Sequence, residues 1–412
     1  MAAVRGGRRV AVTGLGVKTP AGATLDAFWA TIAAGAPTAG PIRQFDAAEL
    51  PVRFACEVHD FDPTAYLSTK EARRVDRVTQ LGFGAAADAL ADAGPVGADP
   101  ARSAVVIGTG IGGLITLEEQ VHVFAAKGAG RVSPFLVPMM MANATAGTIA
   151  MQFGWTGPNL CIATACAASA NAIGEAVRLV RDGSADVVLA GGAESAITPT
   201  SVSAFARMTA LSTRNDDPAR ASRPFDADRD GFVMGEGAAA LVLEDWDRAT
   251  ARGARIYAEL AGYGRNADAY HITAPSPGGE GAAACMQLAL ADAGLAPAAI
   301  GHVNAHGTST PLNDAAEAEA IGKVFGDAPP PVTSTKGTTG HLIGAAGATE
   351  AVAAVLAIAH GQVPPTANLE RLGDDIAIDV VHGSPRTIGP APVLSNSFGF
   401  GGHNASLVFV PA

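Results

Sequence analysis

The chain has 412 residues, 48% of them hydrophobic and 16% charged, so it has ample apolar surface for a core and is not a disordered chain. Its formal net charge of −11, from 28 basic and 39 acidic side chains, argues against a general nucleic-acid binder. At roughly 100–200 residues per domain, this length suits two or three compact units or one large duplicated fold.

From the N-terminus, Arg5, Arg8 and Arg9 precede no continuous apolar stretch, so no secretory signal is expected. Strand-like β-branched runs at 9–13, 104–107, 185–189 and 302–305 alternate with helical patterns near 75–93, 167–182, 282–293, 314–325 and 346–360. That alternation predicts α/β with central sheets. Segments 274–281 and 328–331 read as surface loops, and no linker divides the chain. The charge-free stretch 132–174 is broken by Pro134, Pro138, Asn143, Gln152, Gly154 and Pro158, so it predicts no bilayer helix. Cys56, Cys161, Cys166 and Cys285 show neither CxxC spacing nor a disulfide framework, which suits a reducing, cytoplasmic setting.

One internal echo stands out. Nine residues after Cys166 comes Glu175-Ala176-Val177, with Val180 beyond, and nine after His341 comes Glu350-Ala351-Val352, with Val355 at the same offset. It suggests two related halves, each placing a polar residue at a helix start.

Three familiar motifs fail on inspection. Gly108-Thr109-Gly110-Ile111-Gly112-Gly113 satisfies GxGxxG, but a dinucleotide site also needs an acidic residue about 20 positions on. Glu118 and Glu119 come too soon, and the next is Glu175. Asp226, Asp228, Asp230 and Gly231 imitate the start of a calcium loop, yet its twelfth position is Gly237 and not a bidentate Glu. A turn whose charges pair with Arg220, Arg223 or Arg229 is expected instead. No GxSxG elbow supports a serine hydrolase.

The informative pattern is where charge is missing. Stretches 132–174, 337–349 and 387–412 contain no Asp, Glu, Lys or Arg, yet they hold Cys166, His341 and the turn Phe398-Gly399-Phe400-Gly401-Gly402. Buried ground excludes charge because desolvation is costly, so reactive polar groups that persist there are candidates for chemistry. Cys166 is expected at the first turn of an Ala-rich helix, where free N–H groups and the helix dipole favour a thiolate against the burial that opposes it. His306, in Asn304-Ala305-His306-Gly307, sits at a strand end. His341, at an expected helix start, should stay neutral and donate through Nε2–H. Two neutral imidazoles beside a cysteine suit carbonyl polarisation. Zinc is the rival, but HxxxH spacing is missing.

With these residues in place the chain resembles a β-ketoacyl-acyl-carrier-protein synthase of the elongating, class II type. The resemblance runs from Val10-Ala11-Val12-Thr13-Gly14-Leu15-Gly16 to Asn396-Ser397-Phe398-Gly399-Phe400-Gly401-Gly402. It includes Arg223-Pro224-Phe225-Asp226 and Gly231-Phe232-Val233-Met234-Gly235-Glu236-Gly237. It implies a thiolase-like duplicated αβαβα five-layer fold, a homodimer, and halves at 1–255, with the cysteine, and 256–412, with the two histidines. It also implies that Cys166 takes an acyl chain from acyl carrier protein as a thioester. His306 and His341 would then polarise the thioester of malonyl-carrier protein, and the backbone N–H groups of Cys166 and Phe400 would hold the oxyanion. No cofactor is implied.

By the same resemblance Lys336 and Glu350 form a buried ion pair, and Thr308 and Thr310 hydrogen-bond the pantetheine arm. Ile111, Phe135 and Ile343 line the acyl pocket. Asn304, Glu350, Ser395 and Asn396 match a monovalent-cation site, Phe400 a gate on a glycine-hinged loop, and Arg207 a carrier-contact position. Lys70, Arg73 and Arg74 lie at helical spacing, so one helix face is expected to offer a basic patch to the acidic carrier. His403 replaces the Thr most common after this Gly-Gly. The implied activity is the condensation of fatty-acid elongation. A ketosynthase of a polyketide pathway is the alternative. A silent chain-length partner is disfavoured by Cys166, a degradative thiolase by the lack of a second reactive Cys near the C-terminal turn, and an acyl-CoA-starting synthase by His341.

Overall fold

The structure is a computed structural model describing residues 7–326 and 328–412; Arg5 lies outside the described residues. Ten strands form one mixed sheet. They are β1 (Val10–Lys18), β2 (Ser103–Gly108), β3 (Asn159–Ile162), β4 (Val187–Glu194), β5 (Gly237–Asp245), β6 (Ala258–Ala267), β7 (His302–Asn304), β8 (Val332–Thr333), β9 (Val393–Gly399) and β10 (His403–Pro411). Their order across the sheet is β8-β7-β9-β10-β6-β1-β5-β4-β2-β3. Each half repeats one scheme. The first strand runs antiparallel to the last, the last antiparallel to the fourth, and the remaining pairings are parallel. The halves join where β1 pairs with β6 at Ala11–Glu259 and Val12–Ala258.

Seven helices bear on the site: α1 (Arg77–Ala93), α2 (Leu114–Lys127), α3 (Ala168–Arg181), α4 (Pro199–Arg207), α5 (Glu280–Ala293), α6 (Pro311–Phe325) and α7 (Ala346–His360). Helix α1 covers the outer face of the first half, α5 and α6 that of the second, and α3 and α7 pack between them. This is the five-layer arrangement the resemblance implies. Helix α7 is buried on every side from Ala346 through Ile358, with Glu350 the one charged residue in that span, as befits the middle layer. The stretch Ile343–His360 is long and apolar enough to cross a bilayer, but 89% of it is buried inside the protein. A core helix passes the same test.

The strand expected at 9–13 runs on to Lys18, and the glycines explain why. A Cβ on Gly14 or Gly16 would lie 2.2 or 2.1 Å from the carbonyls of Ala89 or Ala85 on α1. Gly262 and Gly264 meet α5 the same way, at 2.3 and 2.2 Å from the carbonyls of Ala289 and Cys285. These glycines admit a helix against the sheet and do not mark a turn. The match also shows that the duplication is physical.

The sequence echo is in the wrong register, however. Helices α3 and α7 start at Ala168 and Ala346, each after a 3-10 turn, Ala165–Ala167 and Ile343–Ala345, whose opening residue has φ near +50°. The counterpart of Cys166 is therefore Gly344, not His341. A slip of three is almost one helical turn, which an Ala/Val pattern cannot detect. The turn at Asp226 is structural, as expected: Arg223 Nε donates to its Oδ1 at 2.9 Å, and Arg229 pairs with Asp375 at 2.6 Å.

Candidate active site

One cavity of about 460 Å³ brings together Cys166, His306, His341, Thr308, Thr310, Ile111, Ile343 and Phe400, with Phe205, Phe232 and Phe398 among its other walls. The cysteine arrives on the strained turn before α3, where Ala165 has φ +50° and Cys166 is 8% exposed. Gly399 makes the close approach possible. A Cβ there would stand 2.7 Å from Thr164 O and 3.1 Å from Cys166 N. The Phe400 N–H thereby reaches the Cys166 sulfur.

The expected thiolate is not the resting form. Burial pushes the Cys166 thiol up to about 11, and Lys336 and the Phe400 N–H offset that only in part. Desolvation outweighs the local dipoles.

Both imidazoles lie well below the ordinary histidine range, chiefly through burial and then through the Lys336 charge. For His341 this replaces the expected cause. It stands ahead of the Ile343–Ala345 turn, with α7 starting only at Ala346. The rings meet edge to face at 5.4 Å. Lys336 Nζ lies 3.3 Å from His306 Nδ1, and the Ile343 N–H donates to His341 Nδ1 at 3.3 Å. Both Nδ1 atoms thus accept, which places the proton of each neutral ring on Nε2. Two N–H donors result.

Lys336 is fully buried, donating to the Glu350 carboxylate and to His306 O, the latter at 2.5 Å. Glu317, which the sequence reading passed over, fixes the other side: the His306 and Gly307 N–H groups each donate to it at 2.8 Å. Its only signal was an acidic residue on the apolar side of a helix. Glu194 was missed too. It ends β4, fully buried, and burial holds it near 7. A lone acid closing an apolar β-run was the clue. Thr308 and Thr310 share a hydrogen bond at 2.8 Å.

Asn304 Oδ1 and Glu350 Oε2 are buried oxygens without a hydrogen-bond partner, and Ser395 sits opposite Asn304 in the sheet. Such hard, unsatisfied acceptors fit a monovalent cation. The Asn396 side-chain oxygen accepts from Ser406 at 2.8 Å. Among the described residues no cluster of three or more His, Cys, Asp or Glu is placed to hold a metal ion, so the zinc alternative has no ligand set.

Two expectations need correction. Phe135 does not line this cavity. It is 38% exposed on a surface excursion, with the Arg74 guanidinium 4.8 Å above its ring. Lys70, Arg73 and Arg74 do not share a helix face either, since that helix is the single turn Thr69–Ala72 and Arg73 caps it. They remain exposed. Arg207, at the end of α4, is exposed between the cavity residues Phe205 and Met208.

The models of the beta-ketoacyl synthase N-terminal and C-terminal domains match residues 7–249 and 257–370. The chain is 51% identical to the 3-oxoacyl-[acyl-carrier-protein] synthase 2 of Synechocystis sp. over 408 residues, 98% of each protein. A beta-ketoacyl synthase from Burkholderia phymatum superposes with TM-score 0.92 at 37% identity, covering 98% of this chain and all of that one. A type II PKS acyl-carrier protein in complex with its ketosynthase gives TM-score 0.90 at 32%, with the same coverage.

Proposed function

Because the chain belongs to the β-ketoacyl synthase family, we propose that its cavity performs the decarboxylative condensation of an acyl-enzyme thioester with malonyl-carrier protein in fatty-acid elongation. The protein is an acyltransferase of the 3-oxoacyl-[acyl-carrier-protein] synthase 2 kind. The observation that carries the reading is that a cysteine, two Nε2–H donors and the Phe400 N–H share one cavity. Identity of 51% to the Synechocystis relative, against 32% to the polyketide ketosynthase, favours elongation over a polyketide pathway.

Cys166 Sγ attacks the acyl thioester carbonyl while the N–H groups of Cys166 and Phe400 hold the oxyanion, and the thiol proton leaves with the departing pantetheine sulfur. A resting thiol therefore suffices. Thr308 and Thr310 hold the pantetheine arm of the malonyl carrier, and the Nε2–H groups of His306 and His341 bond its thioester oxygen. The carboxylate departs as CO2 and its electron pair becomes an enolate on that oxygen. The enolate carbon attacks the acyl-Cys166 carbonyl, and collapse expels the thiolate, which takes up a proton. Lys336 keeps His306 in the donating tautomer, and Glu350 balances the lysine charge. A monovalent cation, when bound by Asn304 and Glu350, would satisfy their unpartnered oxygens.

The chain divides at 255/256 in this reading, and two copies pair. The apolar stripe Leu117, Val121 and Phe124 on α2 and the edge strand β3 are exposed, and an open strand edge is a template for another chain. Phe135 lies on that same excursion. The four cysteines are free, in keeping with a reducing cytoplasm.

Given both carrier-bound substrates, the protein releases one CO2 for each 3-oxoacyl product two carbons longer; product without CO2 would refute the condensation. The basic groups Lys70, Arg73, Arg74 and Arg207 meet the acidic carrier. Changing Lys70, Arg73 and Arg74 to Glu is expected to raise KM for carrier-bound acyl groups by about 10-fold or more and to spare small thioester mimics. Equal loss with both substrates would count against docking there.

A further inference from the structure

A carboxylate outside the reacting groups ties the two walls of the cavity together. Glu194 Oε2 accepts from the Gly110 N–H at 2.6 Å and the Gly344 N–H at 3.1 Å, and Oε1 accepts from Thr109 Oγ1 at 3.2 Å. The Ile111 N–H also bonds this carboxylate. Among the described residues no cationic side chain forms a salt bridge with it, so these four donors are what offsets part of the cost of burying the carboxylate.

The donors come from two segments remote in sequence. Residues 109–111 leave β2 in the first half, whereas Gly344 lies on the turn before α7 in the second. The segments press back to back. A Cβ on Gly344 would stand 2.1 Å from Gly110 N, and one on Gly110 would stand 2.9 Å from Ile343 Cγ2. Each carries an isoleucine into the cavity. Ile343 is packed and 5% exposed, but Ile111 is 40% exposed, with little besides its backbone bonds to fix it.

We propose that Glu194 is a positioning residue that sets acyl-chain-length selectivity by stapling the Ile111 segment to the Ile343 turn. This rests on the reading that Cys166 carries the acyl chain between those walls. With the staple intact the gap between the isoleucines is fixed, because packed walls are not continuously deformable. Without it the Ile111 segment yields and long chains gain relative to short ones.

The test measures acylation of Cys166 by intact mass, using carrier protein loaded with 6-, 8-, 14- or 16-carbon chains. In Glu194→Ala the long-to-short rate ratio is expected to rise by roughly tenfold, the scale of one charge-assisted hydrogen bond. Decarboxylation of malonyl-carrier protein, which leaves the acyl route empty, is the control that a general loosening of the site would lower along with acylation at every chain length. Glu194→Gln retains a carbonyl for the Gly110 and Gly344 donors and should restore the parent ratio. Should Glu194→Ala fail to fold, Thr109→Val removes one donor to the carboxylate, and with it the acceptor of the Gly112 N–H, at constant shape and is expected to raise the ratio about two- to threefold. An unchanged ratio in the folded variants, or equal losses at every chain length and in decarboxylation, overturns the staple. Absence of any adduct on the parent protein overturns the acyl-cysteine reading and the staple with it.

Discussion

Replacing Cys166 with Ala is expected to abolish the covalent acyl adduct. Mixed with acyl-carrier protein, the parent chain gains the mass of one acyl group and the variant gains none. The selectivity follows from placement. The chain has four cysteines, all free, but burial dominates at Cys56 and Cys285, whose thiols are pushed up to about 12. Cys166 is the one that lines the cavity, reached by the Phe400 N–H and by the Lys336 charge. Loss of a nucleophile leaves no alternative route to a thioester, so condensation should fall by about 10⁴-fold or more, the range seen when a covalent catalyst is deleted. Retention of the adduct in Cys166→Ala would move the nucleophile elsewhere.

His341→Ala should separate the two halves of the reaction. Acylation uses the sulfur and the backbone N–H groups, and proceeds. Decarboxylation needs both Nε2–H donors on the malonyl thioester oxygen, where charge develops, and loses one. Removing a single preorganised donor of this kind costs about 10²–10³-fold, so the variant should accumulate acyl-enzyme and release CO2 slowly. The ring is also packed edge to face against Phe232 at 5.2 Å and His306 at 5.4 Å. His341→Asn preserves an N–H donor with less loss of packing and should recover part of the rate. A block in acylation equal to the block in CO2 release would show that His341 serves the turn and not the enolate.

Much of this could be read in one dimension. Cys166, His341 and Phe400 stood out because their segments exclude charge while keeping reactive groups, His306 because it ends a strand, and one cavity holds them all. Lys336 and Glu350 came through resemblance, and they do pair. Phe135 is not among the cavity's lining residues: within a single chain it is exposed and outside that cavity. The basic trio failed as a helix face because Arg73 ends the turn.

The linear chain therefore determined the α/β alternation, the duplication and which polar groups the cavity gathers, since periodicity and the cost of burying charge act residue by residue. Tertiary structure decided the register of the duplication, the protonation of Cys166 and the tautomers of the two histidines. It also decided the partnership of Glu194 with segments from both halves. Each depends on desolvation and on hydrogen-bond donors that lie far away along the chain, and such distances close only when the layers pack.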